Sequence, residues 1–303
     1  MSNTQQAGAV VVHGGIGAPK ENEDGCVLAA RRALAQLEAN RDALDAAILA
    51  VATLEDDGRF NAGSGSSLGL DGATIEMDAS IMDTRGRLGA VACVRDVRNP
   101  VKLARAVADT PHVMLAGEGA QRFAHSIGMP GSAPVSERQR SEHRQLMQEL
   151  AGSVPVMPGI DNRLFERFWN YKTPLQLPKS SACDTVGAVV RGPDGHFAVA
   201  CSTGGSAPRL LGRVGDSPII GSGFYAGPLG AIAATGIGEH IVRHLLARTV
   251  YGWIEHGMAL DEALKRGVAL FDQDVAVGLV GVTRTEAAAY GNQGMPYSKM
   301  TQR

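Results

Sequence analysis

Residues 183–203 read CDTVGAVVRGPDGHFAVACST, two apolar runs on either side of a turn that contains glycine and proline. Short runs rich in valine and alanine, joined by Gly-Pro-Asp-Gly at 192–195, predict a β-hairpin with strands over 185–190 and 196–201. Thr185 therefore stands at the head of a predicted strand.

Elements on both sides of this hairpin indicate an α/β chain. Apolar periodicity and turn residues predict strands and helices in both halves of the sequence. Strands at both ends with helices between them indicate stacked layers. The predicted strands cover 8–13, 74–82, 88–94 and 275–283; the predicted helices cover about 24–39, one from near Asp42, 99–108, 117–126, about 137–150, 236–247 and one starting at 261–267.

The stretch before the hairpin differs from the rest. Residues 152–182 contain several prolines and no sustained period, which predicts a mobile connection rather than a core element. We therefore expect a single structural unit over 1–303, in which this linker connects the two parts of the chain.

Charge and apolar content narrow the class of partner. The chain has 29 basic and 31 acidic residues and a pI near 6.4, which does not favour nucleic-acid binding or attraction to anionic membranes. No window approaches the roughly 20 apolar residues of a membrane span, and the start shows no signal-peptide pattern. We expect a cytoplasmic protein with a small-molecule partner, in which the cysteines at 26, 93, 183 and 201 are reduced.

The Asp184–Thr185 pair suggests a catalytic role for Thr185 only if the chain is cleaved between the two residues. Cleavage there would give Thr185 a free α-amino group beside its hydroxyl, and a reference pKa of about 7.7 to 8.0 would let the neutral amine act as base. One residue would then supply nucleophile and base. Taken alone, however, an Asp-Thr pair is far more often just a β-branched residue that starts a strand.

Three downstream motifs combine glycine with hydroxyl or charged side chains. In STGG (202–205) and ATGIGE (234–239), glycine permits close approach of the backbone, and a threonine hydroxyl beside an N–H at a helix start suits a developing oxyanion. In GRVGDSP (212–218), Arg213 and Asp216 are suited to the carboxylate and ammonium groups of an amino acid. Singly, each motif is also compatible with a turn or a helix entry.

Together, CDTVGAVV, STGG, GRVGDSP and ATGIGE resemble the plant-type L-asparaginase/isoaspartyl peptidase family of N-terminal-nucleophile hydrolases. VVHGGIG (11–17), residues 54–83 and residues 99–123 also resemble family stretches, so the likeness covers nearly the whole chain. It implies a four-layer αββα sandwich that cleaves itself into an α subunit (1–184) and a β subunit (185–303) and forms a dimer of αβ pairs. The implied activity is hydrolysis of L-asparagine and β-aspartyl dipeptides through a threonyl acyl-enzyme.

The resemblance also implies the site. Thr185 would be the nucleophile, Thr203 would assist it, and Asn61 would lie close to it. Thr235 and the N–H of Gly236 would form the oxyanion hole, while Arg213 and Asp216 would hold the substrate with the Gly236 and Gly238 backbone nearby. The loop implied to bind a structural sodium ion through backbone carbonyls contains Leu54, Glu55, Asp57, Phe60, Ala62 and Ser64.

The sequence departs from the family pattern in places and is also compatible with other functions. Cys183 stands where many relatives have histidine, which leaves the rate of self-cleavage open. A glycosylasparaginase-like amidase shares GRVGDSP, and an uncleaved relative that binds amino acids or scaffolds a partner is the alternative from another class. His240 and His244 lack a third metal ligand, and no nucleotide fingerprint is present, so we expect no catalytic cofactor.

Overall fold

The computed structural model describes residues 6–152, 155–158, 160–172 and 185–302. Its strands are β1 Ala9–His13, β2 Met77–Asp83, β3 Leu88–Val94, β4 Met114–Ala116, β5 Thr185–Arg191, β6 Phe197–Thr203, β7 Phe224–Gly227, β8 Gly230–Gly236, β9 Val277–Thr283, β10 Ala287–Gly291 and β11 Tyr297–Thr301. Its helices are α1 Glu23–Asn40, α2 Ala43–Asp57, α3 Pro100–Val107, α4 Gly117–Ser126, α5 Glu137–Leu150, α6 Arg163–Arg167, α7 Gly238–His244, α8 Leu246–Glu255 and α9 Leu260–Val268. Short 3₁₀ turns cover Lys20–Asn22 and Gly63–Gly65.

The described strands form two sheets that pack face to face. The larger has the order β11-β1-β5-β6-β2-β3-β4 and the smaller β10-β9-β8-β7. One core lies between the sheets and includes Val189, Val199 and Val280. Helices α1, α2 and α3 cover the outer face of the larger sheet, and α8 and α9 cover that of the smaller sheet. This is the four-layer αββα sandwich that the resemblance implied.

The hairpin predicted at 185–201 is present and lies inside the larger sheet. Strand β5 pairs antiparallel with β6, with Thr185 opposite Thr203 in the register. On its other side β5 pairs with β1, where Gly187 is opposite His13. Both strands are buried along their whole length, as expected for strands covered on both faces.

Local sequence signals set several helix starts. Asp42 caps α2, because its side chain accepts from the N–H groups of Leu44 and Asp45. Helix α3 starts with Pro100 after Asn99, as predicted, but the Asn99 side chain makes no capping bond. The buried Glu55 accepts from the Val101 N–H instead, at 2.9 Å.

Three predictions about elements were wrong or incomplete. Gly236 ends β8 instead of starting a helix, and the predicted helix over 236–247 is divided between α7 and α8 at Leu245, which has φ +43°. The polar tail contains β10 and β11, and β11 forms an edge of the larger sheet. Strands β7 and β8 were not predicted.

The described part of the linker contributes to a small core, which its sequence pattern did not predict. Helix α6 lies within it, and Tyr171 is buried beside Leu146 and Leu150 of α5. Whether the rest of 152–182 is mobile stays a prediction.

Cys26 and Cys201 are buried free thiols and Cys93 is a partly buried one, whereas Cys183 lies outside the described residues. Within the described ranges no helix is both long and apolar enough for a membrane span.

Candidate active site

The two-residue period of the strands directs three threonine side chains into the space between the sheets. In β5 and β6, Val186 and Ala198 face the helices, whereas Val189 and Val199 face the second sheet. Thr185 and Thr203 have the parity of the second group, so both point between the sheets. In β8 the same argument, from Ala231 and Ala233, directs Thr235 toward them from the opposite sheet.

These threonines form a connected set of hydroxyl groups. Thr185 Oγ1 donates to Thr203 Oγ1 at 3.3 Å, and Thr203 Oγ1 accepts from the Gly205 N–H at 3.0 Å. Thr235 Oγ1 donates to the carbonyl oxygen of Thr185 at 3.4 Å and accepts from the Ile16 N–H at 3.3 Å. Each of the three side chains is almost fully buried, so their orientation is fixed by packing.

Asn61 holds the loop that follows β6. Its Nδ2 donates to the carbonyl oxygen of Gly205 at 2.7 Å, and its Oδ1 accepts from the Ser67 N–H at 2.8 Å. A Cβ on Gly204 would lie only 2.3 Å from Asn61 Oδ1, so the loop needs glycine there. Asn61 therefore positions the Gly205 N–H that binds Thr203.

Arg213 and Asp216 lie on the adjacent loop. Arg213 makes two hydrogen bonds, both 2.8 Å, with the carboxylate of Glu239 at the start of α7. Asp216 is 3% exposed, and within the described part of the chain its Oδ2 has no hydrogen-bond partner. Burial raises the pKa of Asp216 to about 7, and the nearby Arg213 guanidinium opposes that shift.

Gly238 explains how both charged groups fit beside α7. A Cβ there would lie 2.8 Å from Arg213 Nη2 and 2.9 Å from Asp216 Oδ1. Any larger residue would therefore displace one of the two side chains.

These elements enclose one small cavity. Thr185, Thr203, Arg213, Asp216 and Gly236 all line it, together with Gly205, Ser206, Gly215 and Ser217. A threonine hydroxyl, a cationic group and a buried carboxyl group thus line one cavity. Asn61, Thr235 and Gly238 lie behind this surface and contact residues that line it, while Asp184 lies outside the described residues.

Two residues near the site were not assigned a role from the sequence. Glu239 was seen only as part of a glycine-rich helix start, although it is the partner of Arg213. Asp78 lies opposite Thr203 in the sheet and accepts from the Cys93 N–H at 2.8 Å, and burial raises its pKa to about 6. The sequence signal for Asp78 was an acidic residue inside a mostly apolar strand.

The proposed sodium loop begins at the carboxyl end of α2. Leu54, Glu55 and Asp57 belong to its last turn, where carbonyl groups lack helical partners and the helix dipole favours a cation. The turn at Gly63–Gly65 then folds back onto this end. A Cβ on Gly65 would lie 2.0 Å from the Phe60 oxygen, and Ser64 Oγ donates to the Glu55 oxygen at 2.7 Å.

The Glu55 and Phe60 carbonyl oxygens thus lie beside the Gly63–Gly65 turn at the end of α2, and oxygen atoms are the ligands that hard cations prefer. The Glu55 side chain points elsewhere and accepts from Ser202 Oγ at 2.7 Å. Among the described residues, no cluster of histidine, cysteine and acidic side chains suits a metal ion.

Comparison with known proteins agrees with this geometry. A family model described as asparaginase matches residues 6–302. The isoaspartyl peptidase/L-asparaginase of Mus musculus is 38% identical over 302 residues, which cover 95% of this chain and 86% of the mouse protein. The human isoaspartyl peptidase/L-asparaginase is 37% identical, with coverage of 95% and 92%. The plant-type L-asparaginase of Pyrococcus horikoshii is 37% identical, with coverage of 94% and 92%. A match over nearly the full length, together with the threonine-lined cavity between two sheets, shows that the chain belongs to the asparaginase family.

Proposed function

We propose that the chain is a self-cleaving N-terminal-threonine hydrolase that acts on L-asparagine and β-aspartyl dipeptides. The observation that carries this proposal is the cavity in which the Thr185 hydroxyl lies 3.3 Å from that of Thr203 and which Arg213 and Asp216 also line. The names of the relatives support the same substrates.

The first reaction is maturation. The Thr185 hydroxyl attacks the carbonyl carbon of Asp184, the peptide C–N bond breaks, and its nitrogen takes the hydroxyl proton. Water then hydrolyses the resulting ester, which leaves a carboxylate on residue 184 and a free amine on Thr185. Thr203, whose oxygen accepts from Thr185, orients the hydroxyl for this attack.

The second reaction is turnover. The neutral α-amine of Thr185 removes the hydroxyl proton, and the oxygen attacks the side-chain carbonyl of the substrate. The leaving amine takes the proton as the amide C–N bond breaks and an ester forms on Thr185. Water attacks this acyl-enzyme, releases aspartate and restores the hydroxyl.

The developing oxyanion needs donors on the opposite sheet. Thr235 Oγ1 already lies within 3.4 Å of the Thr185 backbone oxygen, and Gly236 lines the cavity. We assign the Thr235 hydroxyl and the Gly236 N–H to this role, since preorganised donors lower the barrier most where charge develops.

Arg213 and Asp216 hold the aspartyl group of the substrate. The Arg213 guanidinium binds the α-carboxylate while Glu239 fixes its plane through two hydrogen bonds. Asp216, whose Oδ2 is buried without a partner in the described chain, accepts from the α-ammonium. Gly238 leaves room for both side chains.

A sodium ion held by the loop of Leu54, Glu55, Asp57, Phe60, Ala62 and Ser64 would stabilise the segment that places Asn61. Its support is the position of the Glu55 and Phe60 carbonyl oxygens beside the Gly63–Gly65 turn at the end of α2. The expected result is a higher melting temperature in NaCl than in choline chloride of equal ionic strength. Equal melting temperatures in the two salts would count against a bound sodium.

Cytoplasmic location and a dimer of αβ pairs stay predictions from the resemblance. Light scattering of the purified protein tests the dimer.

The deciding experiment is the intact mass of the purified protein after incubation at neutral pH. We expect fragments that divide after Asp184 in the wild type and in Thr53→Ala, which removes a buried hydroxyl that donates to the Leu49 oxygen within α2. Thr185→Ala should stay uncut and inactive toward asparagine and β-aspartyl dipeptides. A single uncut chain in every variant would favour an uncleaved binding protein and overturn the proposal, and preference for glycosylasparagine would redirect it to the amidase alternative.

A further inference from the structure

A second cavity adjoins the catalytic one, and we infer that it binds the side chain of an apolar leaving amino acid. This inference rests on the proposed function and narrows its substrate class. β-Aspartyl dipeptides whose second residue is large and apolar, such as leucine or phenylalanine, are then better substrates than β-aspartylglycine.

The cavity has a volume of about 400 Å³ and mostly apolar walls. One wall comes from the described part of the linker and includes Leu164, Phe165 and Phe168; the other comes from the loop after β6 and includes Pro208 and Leu210. This size lies within the range of small-ligand pockets, and apolar walls are typical of them.

The two walls are held together by specific bonds. Asn170 Nδ2 donates to the Leu211 oxygen at 2.9 Å, and Asn170 Oδ1 accepts from the Leu211 N–H at 3.0 Å. The hydroxyl of Tyr171 donates to the Arg209 oxygen at 3.0 Å. The cavity therefore has a defined shape and is not an incidental gap beside a loose segment.

Position links this cavity to the reaction. Ser206 and Arg213 line both it and the catalytic cavity, so the two cavities adjoin. The leaving amine is bonded to the carbon that Thr185 attacks, and its side chain must occupy space continuous with that point. The ammonia released from asparagine is too small to reach it.

Two large apolar side chains at this cavity are exposed in the described part of the chain. Phe168 is 54% exposed and Leu164 is 40% exposed, next to the charged pair of Arg213 and Glu239. Large apolar side chains grouped at a cavity with a polar rim are typical of a binding surface. An apolar side chain of the substrate would cover them, whereas glycine would leave them in water.

The test compares kcat/KM for β-Asp-Phe, β-Asp-Leu, β-Asp-Gly and L-asparagine. In the wild type we expect β-Asp-Phe to exceed β-Asp-Gly by on the order of tenfold to a hundredfold, as for other apolar pockets. Phe168→Ala should lower kcat/KM for β-Asp-Phe roughly tenfold, mainly through KM, and leave β-Asp-Gly and asparagine unchanged. Val113→Ala, at a residue 59% exposed and outside the cavity, is the matched control and should change none of the four.

Each outcome bears on the assignment. Equal kcat/KM for β-Asp-Phe and β-Asp-Gly, or an equal loss on all substrates in Phe168→Ala, overturns it. A gain for β-Asp-Phe in Phe168→Ala also overturns it, because it indicates that the cavity holds a segment of the chain itself. If no substrate is hydrolysed, the proposed function fails, and calorimetric titration with β-Asp-Phe and β-Asp-Gly tests the cavity separately: tighter binding of β-Asp-Phe that Phe168→Ala removes supports it, and equal binding refutes it.

Discussion

Asp216 carries a carboxyl group that burial keeps partly protonated near neutral pH. Its pKa is raised to about 7, above the ordinary value of 3.8, in the substrate-free cavity. Only the ionised form can pair with an α-ammonium group. The affinity of the site for amino-acid substrates should therefore depend on the state of this one residue.

The first prediction concerns the acid side of the rate profile. Below about pH 7 we expect kcat/KM for asparagine to fall as Asp216 takes up a proton. Protonation of the Thr185 amine acts in the same direction, so the comparison substrate is succinamic acid, which lacks the α-amino group. With that substrate the fall due to Asp216 should be absent, and the profile should show one ionisation fewer.

Asp216→Asn completes this test because it keeps the shape and removes the charge. Loss of one partner from a buried charge pair costs roughly 2 to 5 kcal/mol, so kcat/KM for asparagine should fall by about 30-fold or more. Succinamic acid should lose far less. Equal losses on the two substrates would show that Asp216 does not bind the ammonium group.

Glu55 is the second buried carboxyl group with an unusual ionisation. Burial raises its pKa from 4.5 to about 7, against the bonds from Ser202 and Val101 that favour the ionised form. A raised pKa means that the folded state binds the proton more tightly than the unfolded state does. This contribution to stability is complete below about pH 4.5 and is lost as pH rises through about 7.

The second prediction is that Glu55→Gln flattens the pH dependence of the free energy of unfolding between pH 5 and 8. At about 1.4 kcal/mol per pKa unit, the wild-type contribution is about 3 kcal/mol across that window. Urea unfolding at several pH values measures it. Glu286→Gln is the control, since Glu286 also accepts from a helix-starting N–H, that of Leu260, but is only half buried. An unchanged slope in Glu55→Gln would contradict the assignment.

At the scale of the element, strands β1 and β5 fit together because a large side chain on β1 lies opposite a glycine on β5. His13 is fully buried on the face of β1 that looks toward the second sheet, and Gly187 lies opposite it on β5. A Cβ on Gly187 would be 2.4 Å from His13 Nε2. The small residue two positions after Thr185 thus makes room for a ring.

The third prediction is that Gly187→Ala lowers the free energy of unfolding by roughly 1 to 3 kcal/mol, the usual cost of overpacking. It should also slow self-cleavage, because Thr185 belongs to the displaced strand. Adding His13→Ala opens the space, so the double variant should be more stable than the sum of the single changes predicts. Gly119→Ala, at a helical position with open space, is the control and should cost nothing. Additive effects would show that the two residues do not compete for volume.

Which elements were predictable follows from how local their signals are. The β5–β6 hairpin has valine-rich strands and a strong turn, and α5 has a capping box at Ser136 and Gln139. Strands β7 and β8 read FYAG and GAIAATG, in which apolar and polar residues do not alternate, because both faces of that sheet are covered. Burial on both faces removes the alternation of apolar and polar residues from which a strand is predicted.

The residues of the candidate site also differ in whether local sequence could predict them. Thr185, Thr203 and Arg213 could be identified from motifs in which each residue type fits a chemical role. The pairing of Arg213 with Glu239 and the burial of Asp78 depend on segments far apart in the chain, and nothing local indicates them. Sequence motifs thus predicted the reacting groups, and the structure was needed to find the groups packed around them.

At the scale of the whole molecule, the proposed cleavage divides a sheet whose strands interleave. In the order β11-β1-β5-β6-β2-β3-β4, the strands β1, β2, β3 and β4 precede residue 185, whereas β5, β6 and β11 follow it. Strand β1 therefore lies between β11 and β5, and β6 pairs with β2. Every one of these boundaries is a full ladder of backbone hydrogen bonds over a buried core.

The fourth prediction is that the two fragments stay together after cleavage. Separation would expose the strand edges on both fragments and the apolar core under α1 and α2, so it should require global unfolding. Native size exclusion of the cleaved protein should give one peak that contains both fragments, and thermal unfolding should show one transition. In 6 M guanidinium chloride the fragments should elute separately, which confirms that the chain was cut. Fragments that separate without denaturant would contradict the interleaved sheet, because no rearrangement that keeps β1 beside β5 lets them come apart.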